Sequence, residues 1–187
     1  MKKYYVFPIA GLLLFSGCAW ISPKQELPVE TSRYVQLEKV IHPERIKDGG
    51  KLVVIPFRAG ADVESTPELD KIALRIVKGV ADKLEGQSPR FEVLLAEESR
   101  QAEFIIDGRV TRVSRSGSFA KWILRKKSLE VGISGRMTER KTGDTILVFN
   151  YKRHSEQKEE DFNHLGYILG QDIAQLLLSV NPSKQGN

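Results

Sequence analysis

The chain has 187 residues, a formal net charge of +5, a pI near 9.3 and one cysteine. A lone cysteine excludes an internal disulfide framework, and the length suits one ordinary domain with a real core. The basic balance raises a polyanionic partner, whose nature depends on the compartment.

The first residues read as a leader. Lys2 and Lys3 precede an apolar run from Val6 to Phe15. That run is about ten residues long, against the roughly 20 needed for a permanent membrane helix. It ends in Leu14-Phe15-Ser16-Gly17-Cys18, which resembles the bacterial lipobox, with Phe15 where leucine is usual. An ordinary secretory signal with an incidental cysteine, or an uncleaved anchor, is the competing reading. The resemblance implies cleavage after residue 17, a diacylglycerol on Cys18 and a further acyl chain on the new N-terminus, more than stable anchoring requires. Ala19, where an aspartate would signal inner-membrane retention, points to the periplasmic face of the outer membrane. Membrane lipid is then one partner, nucleic acid is not expected, and anionic polysaccharide is a further candidate.

Residues 18–32 carry Pro23 and Pro28 among polar residues and read as a flexible tether, spanning about 20 Å as a coil. Residues 33–50 hold Tyr34, Val35, Leu37, Val40 and Ile41, an edge strand or a strap, closed off by Pro43 and Asp48-Gly49-Gly50. A single αβ domain is expected over 51–181, followed by a disordered tail, 182–187. Leu52–Phe57 is a continuous apolar run suited to a strand buried on both faces. Thr66-Pro67 starts a helix whose apolar face runs from Leu69 to Leu84, with a stop at Gly86. Phe91–Leu94 is a strand, Ala96–Gln101 an acidic turn or short helix, and Phe104 opens a strand to about Val113.

Leu129, Val131, Ile133, Gly135 and Met137 alternate with polar residues or glycine, the period of a half-buried strand. Lys141-Thr142-Gly143-Asp144 turns it into Ile146–Tyr151, and Leu165 to Leu177 forms the amphipathic closing helix. The expected fold is an α+β sandwich. It has a mixed sheet of about five strands with two main helices packed largely on one face, in the order β-α-β-(α)-β-β-β-α.

This profile, with Ala102-Glu103-Phe104-Ile105-Ile106-Asp107-Gly108-Arg109-Val110 at its centre, resembles the small αβ lipoprotein domains of Gram-negative envelopes. They include the curli-secretion channel lipoprotein and the Pel polysaccharide-export lipoprotein, and the fold is similar to the amino-terminal domain of TolB. The resemblance covers roughly 51–180 and implies ring-forming export accessories or activators of cell-wall enzymes. The long hairpins with which the curli channel builds its barrel have no counterpart here.

No catalytic constellation emerges, and no cofactor or metal is expected. His42, His154 and His164 fit no metal-ligand spacing. His154, Glu156, Glu159, Glu160, Asp161 and His164 form either a cation site or a solvated loop before the last helix. Gly166 and Gly170 suggest close packing of that helix. The most informative stretch is basic: from Arg109 to Lys141, cations face only Glu130 and Glu139. Within it, Phe119, Trp122 and Leu124 lie among Arg125, Lys126 and Lys127, with Arg112 and Arg115 just upstream. Such a cluster serves a subunit or partner interface or a membrane surface, or folds back as a lid on the core. The sequence therefore points to a non-enzymatic accessory or scaffold subunit in envelope assembly or export, acting with an envelope partner or as a homo-oligomer. A monomeric activator or chaperone of one envelope enzyme is the alternative, with a metal-assisted enzyme behind both.

Overall fold

The computed structural model describes residues 32–87, 89–116, 128–155 and 161–180. The leader, Cys18, the tether to residue 31, Phe119, Trp122, Leu124, Arg125, Lys126, Lys127, Glu156, Glu159, Glu160 and the tail lie outside them.

The architecture is α+β, with one open mixed sheet of seven strands: β1 (Ser32–Val40), β2 (Gly50–Val54), β3 (Arg58–Ala59), β4 (Phe91–Leu94), β5 (Phe104–Ser116), β6 (Ser128–Glu139) and β7 (Thr145–Ser155). The helices are α1 (Pro43–Ile46), α2 (Pro67–Gln87) and α3 (Phe162–Ser179), with a 3₁₀ helix at Ala96–Gln101. Strand order is β1-β7-β6-β5-β2-β4, and β3 adds to β5. The contacts β2–β4, β2–β5 and β3–β5 are parallel, and β5–β6, β6–β7 and β1–β7 are antiparallel.

Seven strands stand where about five were expected, for two reasons. The ambiguous segment before residue 41 pairs along β7 as an edge strand, with a bulge at Gln36. The Leu52–Phe57 run is cut at Pro56, which has no N–H for a ladder, and the chain resumes pairing as β3. Strands β5 and β7 also extend to Ser116 and Ser155, past their apolar stretches.

Helices α2 and α3 cover one face. Thr66 Oγ1 accepts from the Leu69 N–H at 3.2 Å, and Asp161 Oδ1 from the His164 N–H at 2.8 Å, so both helices start on a side-chain cap. Leu69, Ile72, Ile76, Val80 and Leu84 meet Leu165, Leu169, Ile173 and Leu177 over Leu52, Val54, Ile106, Val110, Ile133 and Met137. The two helices approach closely at Gly79, Gly166 and Gly170. A Cβ on Gly79 would stand 2.1 Å from the Tyr167 carbonyl oxygen, and one on Gly170 2.2 Å from that of Ile76. The crossing is also tied by the Tyr167 hydroxyl, which donates to Asp82 at 3.1 Å. Under the helices, Phe57, Phe149 and Tyr151 stack at 6.2 and 5.4 Å, and the Tyr151 hydroxyl donates to Glu38 at 2.5 Å. Arg153 on β7 makes a two-pronged pair with Asp172 on α3 at 2.8 and 2.6 Å.

Candidate functional site: the open sheet face and its basic end

Among the described residues, the second face of the sheet is covered only at the β2–β4 side, where Val53, Leu94 and Ala102 form a small cluster with Ile55 and Ile105. Over β5, β6, β7 and β1 no described element covers it. Alternation decides what stands there. On β6 the residues between the buried Leu129, Val131, Ile133 and Met137 are Glu130, Gly132, Ser134 and Arg136, and their β7 partners are His154, Lys152, Asn150 and Val148. On β5, Asp107 and Arg109 pair with Arg136 and Ser134. On β1, Leu37 and Lys39 pair with Asn150 and Val148.

The result is a polar, predominantly basic plane. Arg136 Nε lies 3.3 Å from Asp107, and Lys152 Nζ 2.8 Å from Glu130. Arg112 Nε stands 2.6 Å from Glu130 Oε1, off the hydrogen-bonding line, so the contact is a charge pair. Lys152 also lies over the Tyr34 ring, 5.9 Å from its centroid. A shallow cleft of about 560 Å³ opens between Leu37, Arg109, Arg136 and Asn150, floored by the Gly108–Gly135 pair. The Asn150 Oδ1 is buried there without a hydrogen-bond partner among the described residues.

Two of the sequence-predicted interface residues, Arg112 and Arg115, are described. The bulge after Val110 shifts the pairing, so Arg112 meets Gly132 on the open face. Arg115 meets Leu129 on the covered face and lies over the Phe162 ring at 5.3 Å. The two cations therefore flank the sheet on opposite sides, both near the end of β5. That end has a consistent composition of chain exits. Ser116 pairs with Ser128, Leu129 with Ser155, and His154 with Ser32, so one row across four strands carries both ends of 117–127 and the start of β1. The β6–β7 turn is at the opposite end, with Gly143 at φ +77° and Arg45 clamping Glu139 and Asp144 at 2.9 and 2.7 Å. The Arg45 hydrogen bond, with that of Thr142, holds the Asp144 carboxyl below its ordinary range.

His154 stands on the open face of β7, whereas His164 belongs to α3 on the other side, and no group of metal-ligating side chains gathers among the described residues. Asp161 caps α3, and the Asn163 amide and the His164 N–H lower its carboxyl pKa. No helix among the described residues is long and apolar enough to cross a membrane. The open-face set of Asp107, Arg109, Arg136 and Asn150 was not singled out from the sequence. The period-two pattern of β6 marked its face, but the width of sheet left uncovered depends on where the helices pack.

No protein-family model matches the sequence, and no curated protein matches it. Solved structures do match the fold. A PelC dodecamer from Paraburkholderia phytofirmans is 12% identical, with 79% of this chain and 97% of that one covered at a TM-score of 0.51. The lipoprotein GNA1162 from Neisseria meningitidis is 13% identical, with 69% and 99% covered at a TM-score of 0.44. At such identities the likeness is one of fold.

Proposed function

We propose that this chain is a lipid-anchored periplasmic lipoprotein of the outer membrane, fixed through Cys18, and that it acts without catalysis as an accessory or scaffold subunit of envelope assembly or export, as a homo-oligomer. One observation carries the reading. The row Ser116–Ser128, Leu129–Ser155 and His154–Ser32 makes the tether from Cys18 and the basic segment 117–127 depart from the same end of the sheet. A membrane that holds the acyl chains therefore faces the end of the domain whose sequence carries Trp122, Phe119, Leu124, Arg125, Lys126 and Lys127, flanked by Arg112 and Arg115. Cations that come within a Debye length of the surface attract anionic headgroups by about 1 kcal/mol each. The domain comprises 51–181 with β1 laid along its edge, and 18–31 is the tether.

The likeness to a PelC that crystallised as a dodecamer supports the oligomeric part. The test is the mass of the full chain in detergent micelles, by light scattering corrected for bound detergent, over a range of concentration and salt. A discrete multiple of the protomer supports the scaffold subunit. A monomer throughout rejects it and favours an activator that docks on one envelope enzyme.

A further inference from the structure

Six large apolar side chains are exposed among the described residues, and their distribution is uneven. Tyr34, Val35 and Leu37 lie on β1 at 53, 48 and 49% exposure, and Ile41 follows that strand. Leu95, 70% exposed, follows β4 directly, and the sixth, Leu74, is on α2. The two edge strands among the described residues, β1 and β4, thus hold or directly adjoin five of them. An exposed edge strand with apolar side chains is a template for pairing with another chain, which proteins ordinarily blunt with charge, proline or a bulge. Here β1 has one bulge and no proline over nine residues.

The two edges complement each other in charge and direction. On the face away from the helices β1 presents Lys39, with Glu38 turned to Tyr151 on the other side, whereas β4 and the 3₁₀ helix carry Glu92, Glu97 and Glu98 against Arg100. Since β4, β2 and β5 are parallel, and β5, β6, β7 and β1 alternate, β1 and β4 run in opposite directions. A second copy set beside the first in the same orientation therefore offers its β1 antiparallel to β4. The faces agree as well. Leu37 and Lys39 point away from α2 and α3, and so do Glu92, beside Lys51 at 3.8 Å, and Leu94, which is buried there with Val53 and Ala102. In a continued sheet these become same-face cross-strand neighbours, the arrangement that stabilises strand pairs.

We infer that the β1 edge of one copy docks against the β4 edge and Leu95 of the next, a head-to-tail seam that generates rings or open rows rather than a two-fold dimer. This rests on the homo-oligomer reading and specifies its interface. The seam leaves the open face and the Ser116–Ser32 end of every copy on common sides of the assembly.

The test uses the full chain in detergent with Leu37→Cys and Glu92→Cys together, treated with a short bis-maleimide, beside each single substitution. The seam predicts a ladder of dimers, trimers and larger species in the double variant only, because each copy then offers both edges; the single variants also report any reaction of Cys18. In parallel, Leu37→Lys raises the concentration of half-assembly by about tenfold, while its thermal unfolding matches that of the original chain. An original chain that assembles, with no ladder and with assembly unchanged by Leu37→Lys, overturns the seam and leaves the oligomer reading standing. An original chain that is monomeric at every concentration overturns both.

Discussion

Gly79 and Gly86 lie on the same helix, and Gly→Ala should act in opposite directions at the two. Alanine is favoured over glycine in a helix interior by roughly 1 kcal/mol. At Gly86 a Cβ meets no described residue within 4 Å, so the propensity gain stands, reduced by the nearness of the helix end at Gln87. At Gly79 the same Cβ stands 2.1 Å from the Tyr167 carbonyl oxygen, where ordinary contact begins at 3.4 Å. The obstacle is backbone of α3, whose own close point is Gly170 against Ile76, so relief requires the two helices to separate by about 1 Å over the whole core seam. Overpacking of this kind costs about 1–3 kcal/mol beyond any propensity gain. A net loss near 2 kcal/mol lowers the Tm of a chain this size by ~4–8 °C, while Gly86→Ala should raise it by up to ~4 °C. Circular dichroism melts of the full chain in mild detergent would measure both. Equal stability of Gly79→Ala and the original chain, or a greater loss at Gly86, would refute the close crossing.

Other residues give further tests. Arg153→Met leaves Asp172, 6% exposed, without its guanidinium partner; we expect a loss of about 3–5 kcal/mol in urea unfolding, largely recovered when Asp172→Leu is added. Asp161 has its folded pKa lowered by Asn163 and the His164 N–H, so its contribution is complete above the unfolded Asp range and disappears as pH falls through the lower folded value. Asp161→Asn, which keeps the cap, should flatten that acid limb of the stability curve, and Asp161→Ala should cost about 1 kcal/mol at neutral pH. Replacing Arg125, Lys126 and Lys127 with Gln in a Cys18→Ser background should weaken co-sedimentation with anionic vesicles by about 1 kcal/mol per charge at low salt, with no difference at high salt; equal binding at low salt would remove the headgroup contact from the account.

The fold was legible where local pattern and tertiary packing agree. Leu69 to Leu84 and Leu165 to Leu177 mark helix faces by their spacing, and Leu129 to Met137 marks a strand by alternation, because one face of each meets the same core. Where pairing partners decide, the pattern was insufficient. The segment from Tyr34 to Ile41 has no clean alternation, since the Gln36 bulge breaks its period, and only its partner β7 makes it a strand. Arg112 and Arg115 look like one basic patch, yet they stand three residues apart in an unbroken stretch of β5, so alternation sends them to opposite faces; the bulge after Val110 decides only which of the two reaches the open one. The GxxxG spacing at Gly166 was read as close packing and is so, but its partner Gly79 gave no signal of its own, because a lone helix glycine does not say what approaches it. For Tyr34, Val35 and Leu37 the sequence left an edge strand and a strap both open; strand order makes β1 the outermost strand and leaves all three exposed.

Anchorage through Cys18 can be read directly by intact mass spectrometry of the full chain purified from bacterial membranes. We expect a protein that begins at Cys18, carries diacylglycerol on the thiol and a further acyl chain on its amino group, and loses both modification and membrane retention in Cys18→Ser. A chain that still begins at Met1, or one cleaved elsewhere with an unmodified Cys18, would contradict it.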